Sequence, residues 1–133
     1  TNQIDFGIIS ELDSRDTDTG YNPLIVENNG NIVINISRIG ADKPLWDSQP
    51  LNTNYFQFKA DNDSTKPNSF NWSVSTTNWT NITHVNDVNR TLIKELHYDD
   101  SKDNAEIDIR IQVPANEPAG TKNALLYITG EMS

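Results

Sequence analysis

Six asparagines in this 133-residue chain are followed two residues later by a hydroxyl: Asn35, Asn62, Asn71, Asn78, Asn81 and Asn89. The triplet Asn-X-Ser/Thr is the acceptor for N-linked sugar, which needs an asparagine side chain reachable from solvent. With 18 asparagines and 22 serines and threonines in the chain, random order would supply roughly three such triplets, so six is a modest excess. Cation binding is the second chemistry on offer. Acidic residues gather in three stretches: Asp13, Asp16 and Asp18 ahead of Gly20; Asp61 and Asp63; and Asp99, Asp100 and Asp103. A hard cation such as calcium takes several carboxylate and carbonyl oxygens at loop tips. The spacing falls short of an EF-hand. With Asp16 and Asp18 as its first two ligands, Glu27 reaches the twelfth place, but Gly20 stands at the third ligand position and Tyr21 replaces the required glycine. Asp13, Asp16 and Asp18 are therefore weak calcium candidates, and a solvated acidic loop is the plainer account.

Trp46, Trp72 and Trp79 offer ring faces on which a sugar can stack. Trp72 alternates with Phe70 and Val74, which makes it a core residue by preference, whereas Trp46 and Trp79 lie in less patterned stretches. Trp79 also sits inside the sequon Asn78-Trp79-Thr80, where a glycan would crowd a ligand. The two histidines, His84 and His97, have no metal-ligand spacing, and there is no cysteine. No Gly-X-Ser-X-Gly elbow or phosphate-cradling glycine loop occurs. The chain is not read as an enzyme, and no cofactor is called for.

Ten basic residues against 19 acidic ones give a net charge of −9, which repels nucleic acid and anionic membrane. No apolar run approaches the roughly 20 residues that span a bilayer. A cysteine-free chain of this size, rich in Asn, Ser and Thr and poor in Lys, suits a secreted prokaryotic-type surface protein that folds by its core alone. The chain begins at Thr1, without methionine, which suggests a mature or excised fragment.

The elements that must position these residues show period-two alternation. Ile107, Ile109, Ile111 and Val113 alternate with Asp108, Arg110 and Gln112, and Pro114 ends the run. Ile32, Ile34 and Ile36 alternate with Asn35, and Phe70, Trp72 and Val74 with Asn71, so both asparagines are expected to point outward. Further strands are predicted over residues 3–9, 24–27, 54–60 and 123–129. Asn28-Asn29-Gly30-Asn31 is a hairpin signal joining residues 24–27 to 32–36. Val85, Val88, Leu92 and Leu96 sit at helical spacing behind Asn86-Asp87, yet residues 90–98 also fit a strand with Leu92 and Leu96 inward, and the strand is favoured. About seven or eight short strands without long helices predict one antiparallel β-sandwich over residues 1–133.

Three segments together resemble a known family: Ile4-Asp5-Phe6-Gly7, the stretch Pro23-Leu24-Ile25-Val26-Glu27-Asn28-Asn29-Gly30-Asn31, and Ile111-Gln112-Val113-Pro114 through Pro118-Ala119-Gly120-Thr121 into residues 125–129. They are similar to immunoglobulin-like β-sandwich domains of secreted, archaeal-type cell-surface and filament proteins, and more loosely to the TasA/camelysin class of biofilm-fibre subunits. Residues 41–100 are unmatched. The resemblance implies an immunoglobulin-like fold and a structural, extracellular, pilus-like homopolymer of copies of the chain, and it brings no catalytic residues. In such polymers an N-terminal segment completes the sheet of the next subunit, because an open sheet edge presents unpaired N–H and C=O groups. Residues 1–9, with Ile4, Phe6 and Ile8 as side chains for a groove, are either such a donor strand or the ordinary first strand of their own domain. The expected function is a subunit of an extracellular filament or cell-surface coat, bearing N-linked glycans. An adhesion or carbohydrate-binding module of a larger surface protein is the alternative, with Trp46 or Trp79 at its site.

Overall fold

A computed structural model describes residues 3–87 and 91–133, so the sequon at Asn89, and Asn2 with its neighbour Thr1, lie outside the described residues. Eight strands form there: β1 (Ser14–Asp16), β2 (Leu24–Glu27), β3 (Ile34–Ala41), β4 (Phe56–Asn62), β5 (Thr80–Asn81), β6 (Ile93–Leu96), β7 (Asn104–Gln112) and β8 (Leu126–Met132). They make two antiparallel sheets, and the predicted all-β sandwich is what the chain builds. In the first sheet β7 is central, with β4 and then β5 on one side and β1 and β2 end to end on the other. The second sheet runs β6-β3-β8. Among the described residues no helix is long and apolar enough to cross a membrane.

Alternation explains the core. Ala105, Ile107, Ile109 and Ile111 of β7 and Phe56, Phe58 and Ala60 of β4 face Ile36, Ile39 and Ala41 of β3 and Ile93 and Leu96 of β6, all of them buried. On β3 the inward residues switch from even to odd numbers. A bulge between Ile36 and Arg38, opposite β8, inserts the extra residue that keeps both halves of the strand facing the core. At Gly40 the backbone of residues 84–85 crosses close by: a Cβ there would lie 2.6 Å from the Cα of Val85, so only glycine fits.

Several expectations are overturned, each for a local reason. Asn28-Asn29-Gly30-Asn31 does not close a hairpin, because β2 pairs with β7 and β3 belongs to the other sheet. The turn crosses between sheets, and buried Asn28 pins it by donating from Nδ2 to the carbonyls of Ile32 and Leu96 while its Oδ1 accepts from Gly30 N–H. The stretch around residues 70–74 is a 3-10 turn (Trp72–Val74) rather than a strand. Phe70 alone is buried there, and Trp72 and Val74 are exposed. Residues 93–96, by contrast, form the strand β6 favoured over a helix, with Leu92 and Leu96 inward as expected; Ile93 is buried as well, and Glu95, at φ 60°, breaks the alternation between Ile93 and Leu96.

The same irregularity buries Asn35. Glu95 N–H has left the ladder, and Asn35 Oδ1 accepts it at 2.9 Å, so the asparagine expected to face solvent is 8 % exposed and tied down.

Candidate functional site

The two sheets close against each other along only one side. There, residues 69–76 bridge β6 and β4: Asn71 N–H donates to Lys94 O, Thr76 N–H to Leu92 O, and Ala60 N–H to Thr76 O. On the opposite side β8 and β2 are both edge strands, and between them lies an open groove of about 1280 Å³. Leu24 and Val26 of β2, Ile109 and Ile111 of β7, Leu126 and Ile128 of β8, and Trp46 supply its apolar floor and walls. The longer edge is β8, seven residues against four in β2, and β8 has a strand on one side only. An edge of that kind is a template for one more strand.

The first described residues lie along this groove. None of residues 3–10 is in a strand, contrary to the predicted β-strand over 3–9. Ile4, Phe6 and Ile9 pack partly buried against the core, Phe6 meeting Tyr21 edge-on at 5.1 Å. Ile8 is fully exposed. The alternation of Ile4, Phe6 and Ile8 fails at Gly7, which adopts φ 69° with its N–H held by Asp5 Oδ1, so Ile9 turns inward in place of Ile8. Only glycine enters that region without steric cost.

One lip of the groove is fixed electrostatically. The Glu117 carboxylate accepts from the backbone N–H groups of Asp47 and Ser48, from Ser48 Oγ at 2.6 Å, and from Lys122 Nζ at 2.7 Å. Lys122 also pairs with Asp47 at 2.6 Å, and Asp42 Oδ1 accepts Leu125 N–H where β8 begins. Burial works to raise the Glu117 carboxyl, but the bonds from Lys122, Ser48 and the two backbone amides outweigh it and bring it down to about 2. Glu117 therefore stabilises the fold above the ordinary glutamate range, and that contribution fades as pH falls from about 4.5 toward 2. Glu117→Gln is expected to cost about 2 kcal/mol near neutral pH, as befits hydrogen bonds to a charged group. The gap between variant and native protein should narrow as pH drops through that window, which urea denaturation at a series of pH values would read.

The sequons divide by position. Asn62, Asn71 and Asn78 are exposed, and Asn71, Asn78 and half-buried Asn81 belong to the closed side, away from the groove. Asn71 Nδ2 donates to Glu95, and Asn81 is held between Gln57 and Asn52. Asn35 is buried and does not present an acceptor nitrogen as expected.

The tryptophans also depart from expectation. Trp46 is buried with Nε1 donating to Tyr55 O, Trp72 is exposed and stacked on Phe70, and Trp79 is half-buried with Lys59 Nζ 4.8 Å from its ring centre.

Among the described residues, Asp13, Asp16 and Asp18 do not gather as one ligand set. Asp16 Oδ1 accepts from Thr19 N–H and Oγ1, and Asp13 bonds through its backbone to Ser10 and Val113. Asp18 instead meets Asp61 of β4 and Asp108 of β7. Sequence spacing missed this set because its members are distant in the chain and meet only through the β4–β7 register. Lys59 bonds Asp18 at 2.7 Å and lies 3.8 Å from Asp61. Burial opposes its charge, but Asp18, Asp61 and Asp108 outweigh that and hold the ammonium above its usual range. Burial, followed by the charges of Asp108, Asp61, Asp63 and Asp18, raises the neighbouring Glu106 carboxyl to about 7.

Comparison with protein-family models, with curated proteins and with solved structures finds no match for this chain.

Proposed function

We propose that the chain is a structural subunit of an extracellular filament or cell-surface coat, assembled when residues 3–9 of one copy add as a strand along β8 of the next. The observation that carries this is a seven-residue sheet edge above an apolar groove, beside an apolar segment that lies there without joining either sheet. Main-chain bonding to such an edge gives affinity, and alternate side chains entering the groove give specificity.

The energetics favour exchange between copies. Docked on its own groove, the segment leaves Ile8 in water. An extended segment on a neighbour's β8 restores the alternation, sending Ile8 inward with Ile4 and Phe6. Ile9 turns outward in exchange, so burying Ile8 only offsets the burial that Ile9 gives up, and the gain rests on the ladder hydrogen bonds, each about 0.5–1.5 kcal/mol net. Against these stands the cost of association, so the exchange is driven by concentration. Sugars on Asn71 or Asn78, together with the net charge of −9, would keep the closed side in solvent and leave the open side for assembly.

Gly7 gives a direct test. Alanine at φ 69° costs about 1–2 kcal/mol in the folded-back form and nothing in an extended strand. Gly7→Ala is therefore expected to speed polymer growth, read by light scattering, by roughly tenfold. A variant that polymerises more slowly than native protein would count against a folded-back segment that must extend to assemble.

A further inference from the structure

We infer that Asp18, Asp61 and Asp108 form a binding site for a calcium ion, with Lys59 the resident cation that the ion displaces. The inference is independent of the proposed assembly. Asp61 and Asp108 stand on neighbouring strands, in a register that places Lys59 opposite Asp108 and Asp61 opposite Glu106. Asp108 points away from the inter-sheet core but is wholly buried, because the chain leaving β1 folds over it. Thr17 makes that cover: its Oγ1 donates to Asp108 Oδ1 at 2.7 Å and accepts from Ile109 N–H at 3.0 Å.

The other oxygen of Asp108, Oδ2, is buried without any hydrogen-bond donor. A buried carboxylate oxygen with no donor is costly, and it signals a ligand that the protein atoms do not supply. The charge count agrees. Three carboxylates against the single Lys59 ammonium leave a deficit of two positive charges, and Glu106 and Asp63 deepen the negative field.

One oxygen from each of the three carboxylates lies within 4.8 Å of the others. Oxygens bound to one calcium at about 2.3–2.6 Å can stand up to roughly 5 Å apart, so the set fits a calcium shell, and calcium tolerates the irregular arrangement better than magnesium, which demands a near-ideal octahedron. Water completes the six to eight ligands that calcium takes. The Lys59 ammonium meets the Trp79 ring from the same position in which it bonds Asp18, and its flexible stem lets it swing out to solvent when the ion enters.

The test is calorimetric titration of the full chain with calcium chloride, paired with thermal melting. Calcium at about a hundred times its Kd is expected to raise Tm by roughly 5 °C or more. Asp61→Asn, or Asp18→Asn on its exposed loop, should weaken binding at least about tenfold. Lys59→Gln removes the competing cation and should strengthen binding by about tenfold, an outcome that a merely structural lysine would not give. Terbium in place of calcium should luminesce on excitation of tryptophan, and Trp79→Phe should abolish that signal. Absence of heat and of any Tm shift at about 10 mM calcium, in both native protein and Lys59→Gln, would overturn the site. So would binding that survives Asp61→Asn and Asp18→Asn unchanged.

Discussion

Removal of residues 1–9 is expected to abolish polymer formation outright while leaving a folded sandwich. Residues 3–9 contribute no strand to either sheet, and the buried cluster is built from β3, β4, β6 and β7 with Trp46, Phe70, Ile82, Leu92 and Val113. Losing Ile4, Phe6 and Ile9 uncovers the groove without opening a ladder. The effect on assembly is all-or-none, because a subunit without the segment accepts a strand at β8 but has none to give. A synthetic peptide of residues 1–10 should bind the shortened protein one to one and raise its Tm. Sedimentation velocity separates the outcomes: polymer from the native chain, monomer from the shortened one, and polymer from the shortened one if assembly uses another surface.

Phe58→Ala carries the largest expected loss of stability. Phe58 sits mid-strand on β4, 2 % exposed, opposite Ile109 on one side and Thr80 on the other. Truncating a buried phenylalanine costs about 3–5 kcal/mol through lost transfer energy and the cavity left behind. Against a typical total of about 5–15 kcal/mol, that is at least about a fifth of the fold's stability. Urea denaturation should show the midpoint falling with little change in slope. A loss below about 1 kcal/mol would mean that the two sheets do not pack through this residue.

The regular strands were legible in sequence and the irregular ones were not. The isoleucines of β7 alternate without interruption, and strict period two with polar partners has few other solutions. β2 was likewise bounded correctly by turn residues. Two very short strands, β1 and β5, carry too few side chains to show a period. Asn35 was placed outward by alternation alone, and nothing in the sequence announces that Glu95 adopts φ 60° and takes the asparagine oxygen as its acceptor. At Gly7, too, a single residue in the left-handed region rotates Ile8 out and Ile9 in.

The candidate sites follow the same division. Apolar alternation near the start of the chain reads as a strand, and nothing in it announces that Gly7 turns residues 3–9 along the groove outside either sheet. The Asp18, Asp61 and Asp108 set was invisible, since Asp18 lies 43 residues from Asp61 and 90 from Asp108 in the chain, and strand register alone brings them together. The sequon count spoke only of a polar surface, whereas the fold separates a closed side bearing Asn71, Asn78 and Asn81 from an open side bearing β8.

Amide hydrogen exchange of residues 126–132, compared between assembled native chain and the shortened monomer, addresses strand addition most directly. If residues 3–9 of a neighbour pair with β8, the outward amides of that strand should exchange at least about a hundredfold more slowly in the assembly. A polymer in which β8 exchanges as fast as in the monomer, with new protection falling on another segment, would contradict it.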